Sequence, residues 1–335
     1  MTKTAVVILA YNSEKYLRQF LPTLIEYTTN AEIWVVDNNS SDKTKELLSK
    51  GFSESVRSVY FKQNYGFAGG YNRALAQIEA DNLILLNSDV EVSEGWLEPL
   101  IESLTNNNVA AVQPKVLSFH SKGFFEYAGA SGGFIDKYGY PFCRGRVFDK
   151  CEKDGGQFND TTQVFWATGA CLAIRKKVFF EVGGFDDRFF AHMEEIDLCW
   201  RLQLAGYTNM VAPLSAIYHV GGGTLHKSNP RKTFLNFRNG LLLLLKNLDS
   251  QEVLPIIFAR LVLDGVAALK MLLSGDFNDF LAVLKAHFSF YGMIPYALKQ
   301  RKLINRKVKV SRFNSSIVWE YFIKNKKTFN AIVNA

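Results

Sequence analysis

Cysteine is scarce in this 335-residue chain, and the few present are poorly placed for bridging or metal chemistry. Cys143, Cys151, Cys171 and Cys199 are spread out without a CxxC pair, so the sequence suggests neither a zinc site nor a disulfide framework and fits a reducing cytosol. Also missing is the succession of charged, apolar and small residues that makes a signal peptide. MTKTAVVILAYN runs directly into a strand pattern, which points away from export. No segment crosses a bilayer cleanly, because Arg260, Asp264 and Lys270 interrupt the best candidate, Leu254 to Leu273. Neither GxGxxG nor a P-loop appears, so dinucleotide and ATP readings gain nothing. Internal repeats and low-complexity tracts are absent as well.

What is present is a chain with 48% hydrophobic residues, long enough for a full core as one large domain with an appendage or as two domains. Its net charge of +7 is unevenly spread: residues 231–335 hold 17 Lys/Arg against 6 Asp/Glu, and residues 1–230 hold 22 against 26. The basic partner surface therefore belongs to the tail. Apolar stretches such as Leu241 to Leu245 and Leu254 to Leu273 alternate with those charges, which favours an anionic membrane surface over a nucleic-acid duplex. A helix lying in the membrane interface fits better than one crossing it. An ordinary helical subdomain with a solvated basic face is the competing reading, and a homo-oligomer is left open.

Strand and helix patterns alternate in the first hundred residues. Ala5 to Ala10, Ile33 to Val36, Val56 to Phe61 and Leu83 to Leu86 read as strands. Helical spacing covers Glu14 to Tyr27, a polar segment ending at Lys50, and about Gly70 to Ala80, so βαβ units around a parallel sheet are expected. Residues 119–160 are rich in Gly, Phe and Tyr without a clear period and read as loops over the sheet's carboxyl edge. Cys171 to Ile174 and Thr208 to Val211 read as later strands, with a helix over about Glu195 to Ala205 between them. From about Lys232 the pattern is helical, which places a boundary near residue 230: an α/β domain over 1–230, then a basic, amphipathic helical region over 231–335.

Several polar residues fall where open α/β sheets do chemistry, at the carboxyl ends of strands. Leu83 to Asp89 is an apolar run ending in Asn87-Ser-Asp89. Asp89 could hold a divalent cation against a diphosphate or cap the next helix. Asp37 ends the second strand, where an acid meets a nucleotide's ribose or base or caps the helix beyond Ser40. Between Asn64 and Asn72 lie three glycines, and the amides of this strand-to-helix turn could face a diphosphate. His192 to Arg201 sets three acids at a helix start. Asp197 and Arg201 read as an i, i+4 structural pair, leaving Glu194 and Glu195 as general-base candidates. His219 stands at a strand end before three glycines. A lone histidine there is commonly structural, but with Asp89 it makes a carboxylate–imidazole pair suited to Mn²⁺ or Mg²⁺.

The ordered set VILAYNS, VVDNNSSD, NYGFAGGYN, LLNSD, ATGACLAIR, GGFDDRFFAHMEEIDLCWR and YHVGGG resembles family 2 inverting glycosyltransferases of the GT-A fold, closest to their rhamnosyltransferase-like branch, over about residues 4–240. The resemblance implies a nucleotide-sugar-binding α/β fold with a mostly parallel central sheet flanked by helices and a C-terminal helical extension. It implies that Tyr11 and Asp37 contact base and ribose, and that Asn64, Gly66 and Asn72 line the diphosphate. Asp89 becomes the metal-binding end of a DxD-type motif, His219 a further metal ligand, and Glu195, with Glu194 behind it, the base. Trp166, Thr168 and Gly169 fall where the family builds its acceptor wall, against the alternative of a buried core tryptophan. Two departures stand out: Asn87 replaces the first acid of DxD, and Glu195 replaces the usual Asp.

The implied chemistry is a single displacement in which the base deprotonates an acceptor hydroxyl and a nucleoside diphosphate leaves with inversion. The resemblance favours a uridine or thymidine donor, dTDP-L-rhamnose among them. The basic tail suggests a polyprenyl-linked glycan acceptor in surface polysaccharide assembly, handled by a cytoplasmic enzyme peripheral to the inner membrane face. Two competing readings are a non-catalytic, membrane-associated nucleotide-sugar-binding protein and a sugar-phosphate nucleotidyltransferase. The latter needs a Gly-rich basic loop after the first strand, where this chain has Ala10-Tyr-Asn-Ser-Glu14.

Overall fold

The structure is a computed structural model describing residues 2–221 and 229–334. Its centre is a nine-stranded mixed sheet. Strands β1 (Thr4–Ala10), β2 (Glu32–Asp37), β3 (Arg57–Tyr60) and β4 (Asn82–Leu86) are mutually parallel in the order β3-β2-β1-β4. Every residue of Asn82–Leu86 is buried, as expected of a parallel strand covered on both faces. The covering helices are α1 (Glu14–Glu26), α2 (Thr44–Gly51) and α3 (Gly66–Gln77). Leu17, Phe20, Leu21 and Leu24 of α1 form the one-sided apolar stripe that its spacing predicts.

Beyond β4 come β5 (Val90–Val92), α4 (Glu98–Leu104) and β6 (Val109–Ser118). The stretch read as loops instead contains a second, four-stranded antiparallel sheet: β7 (Gly133–Ile135), β8 (Pro141–Cys143), β9 (Arg146–Val147) and β10 (Lys150–Cys151). Strands of two or three residues are too short to show a period of two, which is why the pattern was illegible. The main sheet is completed by β11 (Thr162–Val164), β12 (Cys171–Arg175) and β13 (Thr208–His219). β12 lies antiparallel between β4 and β6, and β13 runs parallel to β6. The sequence pattern stops β13 at Val211, but the strand resumes after a register shift between Ala212 and Ala216. Pro213, which cannot donate to a ladder, and the exposed Leu214 occupy that irregularity.

Helix α5 (Lys176–Glu181) and helix α6 (Glu194–Leu204) lie between β12 and β13. Among the described residues four α-helices follow, α7 (Pro230–Asn247), α8 (Ser250–Leu273), α9 (Phe277–Leu303) and the short α10 (Phe329–Val333), with a π-helical turn over Trp319–Ile323 before the last. Leu241 to Leu245, one of the two apolar stretches of the tail read as membrane-facing, is buried in the same cluster as Leu172, Leu198 and Phe179. That stretch is core. Gly222 and Gly223, part of the glycine run after His219, lie outside the described residues.

Helix α7 is joined to α6 by charge as well as by leucines. Asp197, fully buried, accepts from Arg201 Nε at 2.9 Å, Lys246 Nζ at 3.0 Å and Asn247 Nδ2 at 2.8 Å. The sequence-predicted Asp197–Arg201 pair is therefore one part of a larger network. Arg201 also donates to the carbonyls of Val182 and Gly184, and Lys246 to Asp186 at 2.5 Å. Removing one partner from a buried ion network strands the others, so Asp197→Ala is expected to cost about 3–5 kcal/mol. Urea unfolding monitored by fluorescence checks this; a loss below about 1 kcal/mol would show that the network carries little stability.

Candidate active site

The ends of β1, β2 and β4 lie side by side, and their following residues are stitched together by short polar side chains. Ala10 pairs with Asp37 across β1 and β2. Asp37 is buried and its Oδ1 accepts from Ser40 N at 3.0 Å, while Asn12 Oδ1 accepts from Ser41 N at 2.8 Å. Ser88 Oγ donates to Ser13 Oγ at 3.0 Å, so the Asn87–Asp89 triplet joins the same loops. Tyr11 projects at this edge with 47% of its surface exposed. Tyr11, Asp37 and Asp89 are thereby brought to one face, in the crevice beyond the strand ends where α/β sheets bind ligands.

Asp89 faces a histidine. Its Oδ1 lies 3.2 Å from His219 Nε2, and the ring's other nitrogen, Nδ1, lies 3.0 Å from Glu126 Oε2. Pairing of His219 with Val90 and of Tyr218 with Glu91 draws the end of β13 beside the residues that follow Asp89. Burial by itself would lower the pKa of His219, but the charge of Asp89, its hydrogen bond and that of Glu126 outweigh this and raise it to about 10. Both carboxylates are held below their ordinary values, against the effect of burial, by the same imidazolium. Asn87 Nδ2 stands 3.5 Å from His219 Nε2, so it adjoins the pair as a neutral amide.

Among the described residues there is no group of three or more His, Cys, Asp or Glu that could hold a metal ion. Asp89 Oδ1 and His219 Nε2 nevertheless converge as a two-donor set once an incoming cation displaces the proton from the imidazolium. A hard carboxylate oxygen with an imidazole nitrogen suits Mn²⁺ or Mg²⁺ when ligand phosphates and water fill the remaining positions. Glu126 then occupies the place of the acid that orients a ligating histidine through its second nitrogen.

The turn from Asn64 to Asn72 departs from expectation. Gly66 N donates to Asn64 Oδ1 at 2.8 Å and Phe67 N to the Phe190 carbonyl at 3.1 Å, so these two amides are engaged within the protein. Gly66 has φ +71, and a Cβ there would come within 2.8 Å of the Phe190 ring, so both conformation and space demand glycine. Asn72 is likewise occupied: its Nδ2 donates to the Phe185 carbonyl and to Asp187 Oδ1, and its Oδ1 accepts from Phe185 N. It fastens α3 to the loop ahead of α6. The expectation of a diphosphate-lining role is corrected for Asn72 to a framework role.

Glu194 and Glu195 open α6 with carboxylate oxygens that are buried and unpaired: Oε2 of each has no hydrogen-bond partner. Burial pushes Glu195 up to about 7. Glu194 is raised well above the ordinary range, first by burial and then by the neighbouring Glu195 charge. Phe190, His192 and Met193 just before them all have positive φ, between 65° and 72°, a conformation costing non-glycine residues on the order of 1 kcal/mol or more each. Surrounding bonds hold the bend. Asn239 of α7, fully buried, donates through Nδ2 to the carbonyls of Phe189, Ala191 and His192 at 3.1, 2.9 and 2.7 Å.

The acceptor-wall candidates divide. Trp166 is core: its Nε1 donates to the Phe134 carbonyl at 3.0 Å, and its ring lies against Gly133, where a Cβ would approach to 2.0 Å. Thr168 is also structural, with its hydroxyl donating to the Ala128 carbonyl and its amide to Gln113 Oε1. Of the three, Gly169 borders Glu195, since a Cβ built on it would lie 3.9 Å from Glu195 Cβ. Its neighbour Ala170 accepts from Asn87 N at 3.0 Å. The 169–170 backbone therefore runs from beside Glu195 to the Asn87–Asp89 triplet.

Three contributors went unassigned in the sequence. Glu126 lies in the aperiodic aromatic stretch and gave no signal. Asn38 sits within the quoted VVDNNSSD motif, and its buried side chain bonds Asn64 Oδ1, the Gly66 carbonyl and Tyr65 N. Asn239, a polar residue on the apolar side of α7 between Leu235 and Leu242, was detectable from helical spacing.

The mixed sheet with its parallel half, covered by helices and followed by a helical tail, is the fold of GT-A glycosyltransferases. The chain belongs to glycosyl transferase family 2, whose family model matches residues 5–183. It is 26% identical over 231 residues to an N-acetylglucosaminyl-diphospho-decaprenol L-rhamnosyltransferase of Mycobacterium tuberculosis, covering 64% of this chain and 75% of the relative. To rhamnosyltransferase WbbL of Escherichia coli it is 26% identical over 210 residues, covering 60% and 77%. Among solved structures, GalNAc-T7 with UDP, GalNAc and Mn²⁺ superposes with a TM-score of 0.57 at 17% identity, over 73% of this chain and 48% of that one. A Pyrobaculum calidifontis mannosyltransferase with GDP-Man and Mn²⁺ gives 0.52 at 13% identity, over 91% and 87%. These likenesses establish a shared fold.

Asn239→Ala withdraws a donor from three carbonyls of the strained bend. Expected is a stability loss of about 1–3 kcal/mol with opening concentrated at residues 189–193. Hydrogen exchange read by mass spectrometry checks it; protection unchanged in that segment would remove Asn239 from this role.

Proposed function

We propose that the protein is an inverting hexosyltransferase. It moves a sugar, L-rhamnose from dTDP-L-rhamnose or a hexose from a UDP-sugar, onto a hydroxyl of a lipid-linked glycan at the cytoplasmic face of the membrane, in surface polysaccharide assembly. Supporting the enzyme class is the family; supporting the sugar and acceptor are the two rhamnosyltransferase relatives and the decaprenyl-linked acceptor in the name of one. The observation that carries the mechanism is the buried, unpaired Oε2 of Glu195, a residue whose Cβ lies against Gly169, which is joined through Ala170 to the Asp89 triplet.

In this reading Tyr11 and Asp37 receive the nucleoside, with Asn87 on the diphosphate side and Asn64 and Gly66 shaping the turn beside it. The acceptor hydroxyl meets Glu195 near Gly169. As that oxygen attacks the anomeric carbon, its proton passes to Glu195 and the bond to the diphosphate breaks on the opposite face, which inverts configuration. Asp89 and His219 would hold a divalent cation, whose Lewis acidity stabilises charge on the departing diphosphate. Of the two acids, Glu195 suits the task because its carboxyl ionises near neutrality, whereas Glu194 is pushed further toward the protonated form. Glu194 then keeps a second negative charge from competing in the same pocket.

A donor screen reading nucleoside diphosphate release with Mn²⁺, Mg²⁺ or chelator tests the assignment. Release lost to chelator and restored by a cation is expected, whereas pyrophosphate release from a nucleoside triphosphate supplied with a sugar 1-phosphate would indicate a nucleotidyltransferase. Glu195→Gln keeps the shape but not the basicity, so transfer should fall at least about 100-fold with donor binding retained. Undiminished transfer would remove Glu195 from the mechanism.

The base works when ionised, so kcat/KM should rise with pH and level off above about 7, the raised value of Glu195. A profile already flat from pH 5 upward would contradict a base of raised pKa. Glu126→Gln should lower cation affinity about 10- to 100-fold, read from the Mn²⁺ dependence of release. An unchanged Mn²⁺ midpoint would leave Glu126 without an orienting role.

A further inference from the structure

Helix α8 has its polarity reversed relative to a helix on a water-facing surface. Its charged residues Arg260 and Asp264 point inward, at 4% and 0% exposure. Outward lie Leu254, Phe258, Val262, Val266, Leu269 and Leu273, spaced at three or four residues along one face, with Leu254 80% and Phe258 70% exposed. A surface helix in water carries the opposite arrangement. The inward charges are anchored: Asp264 accepts from Arg260 Nε at 2.8 Å and from the Tyr140 hydroxyl at 3.2 Å, and Arg260 donates to the Tyr138 carbonyl at 3.3 Å. The orientation of α8 is therefore fixed by a buried polar network.

The apolar face continues onto α9 through Phe288, 73% exposed, and beyond the end of α8 onto Trp319 and Phe322, the latter 5.0 Å from Lys270 Nζ. The exposed charge along α8 and α9 is mostly lysine, Lys270, Lys285, Lys299 and Lys302, with Asp276 in the turn between the helices and a part-exposed Glu252 paired to Arg312. Exposed apolar surface of this extent marks an interaction site. Its predominantly cationic border selects the partner. A second copy would bring lysines against lysines, whereas an anionic lipid surface offers both acyl chains for the leucines and phenylalanines and phosphates for the lysines. No described helix is long and apolar enough to cross a membrane.

We infer that the outer face of α8 and α9, continued by Trp319 and Phe322, is an in-plane docking surface for an anionic bilayer. α8 lies along the headgroup boundary with its leucine and phenylalanine side inserted. The inference deepens the proposed use of a lipid-linked acceptor and rests on that reading only for the biological membrane concerned.

The test is co-sedimentation of the full chain with vesicles of phosphatidylglycerol and phosphatidylethanolamine, beside vesicles of phosphatidylcholine alone. The double variant Phe258→Glu/Val266→Glu changes only outward side chains, and an unchanged melting profile and nucleoside diphosphate affinity establish that it is folded. Expected is binding of the wild type to the anionic vesicles, weakened by salt, with a loss of about tenfold or more in the variant. Equal binding by variant and wild type overturns the inference. So does failure of the wild type to bind, including the case in which sedimentation velocity shows a dimer that the variant disperses, which would assign the face to a second copy. Vesicle binding through this face in a protein that transfers no sugar to any acceptor would sink the proposed reaction and leave the surface standing.

Discussion

The fully buried carboxylate of Asp197 is the constraint on which the rest of the molecule turns. With Arg201, Lys246 and Asn247 gathered on it, α6 and α7 are held in one register, and Arg201 reaches on to the carbonyls of Val182 and Gly184. Buried ion networks contribute little net stability compared with hydrophobic contacts of the same volume, but they penalise every arrangement that leaves a charge unpaired. Here the favoured arrangement sets Glu194 and Glu195 at the head of α6 and brings Asn239 of α7 beneath the bend before them. The tail is thus part of the machinery: residues beyond 230 determine how the acid pair is presented.

The site is arranged as two electrostatic environments separated by a short piece of backbone. On one side Asp89 and Glu126 share a buried imidazolium and are kept ionised. On the other, Glu194 and Glu195 share a desolvated pocket in which ionisation is opposed, first by burial and, for Glu194, also by its neighbour. Carboxyl groups of similar intrinsic acidity are pushed in opposite directions by their surroundings, the general means by which a protein separates a charge-holding role from a proton-accepting one. Asn87 fits this division. A second acid beside Asp89 would compete for His219, whereas an amide 3.5 Å from Nε2 adds no charge.

Much of this was legible in the sequence, for identifiable reasons. The strands at 4–10, 32–37 and 82–86 are continuous apolar runs that end in polar residues, so both the parallel sheet and the placement of Asp37 and Asp89 followed from local pattern. His219 was readable as a strand end although the strand's first half had been cut short by Pro213. What escaped was non-local. The pairing of Glu126 with His219 joins residues 93 apart through a segment of two- and three-residue strands, and no periodicity predicts such a contact. Asn64, Asn72, Trp166 and Thr168 stood at informative positions, but residue type could not reveal that bonds to loop and sheet atoms already occupied most of their polar groups. Apolar runs in the tail were ambiguous in the same way: Leu241 to Leu245 and the α8 stripe look alike as sequence, yet one is core and the other faces outward.

That last contrast follows from what each helix offers its neighbours. α7 presents leucines to a sheet face that is itself apolar, so burial drives them inward. α8 packs against the turn at Tyr138 and Tyr140, whose carbonyl and hydroxyl require polar partners. Arg260 and Asp264 satisfy them, at the consequence of turning Phe258 and Val266 to the outside. A buried polar group without a partner costs more than an exposed apolar side chain loses, so in water the inward network decides which way the helix faces. An apolar medium against the outer face removes the remaining penalty without disturbing the network, which makes attachment additive to the fold. The acid pair is held through α7 by Asn239 and Asp197, independently of α8's outer face, so the chemistry does not depend on that face being covered.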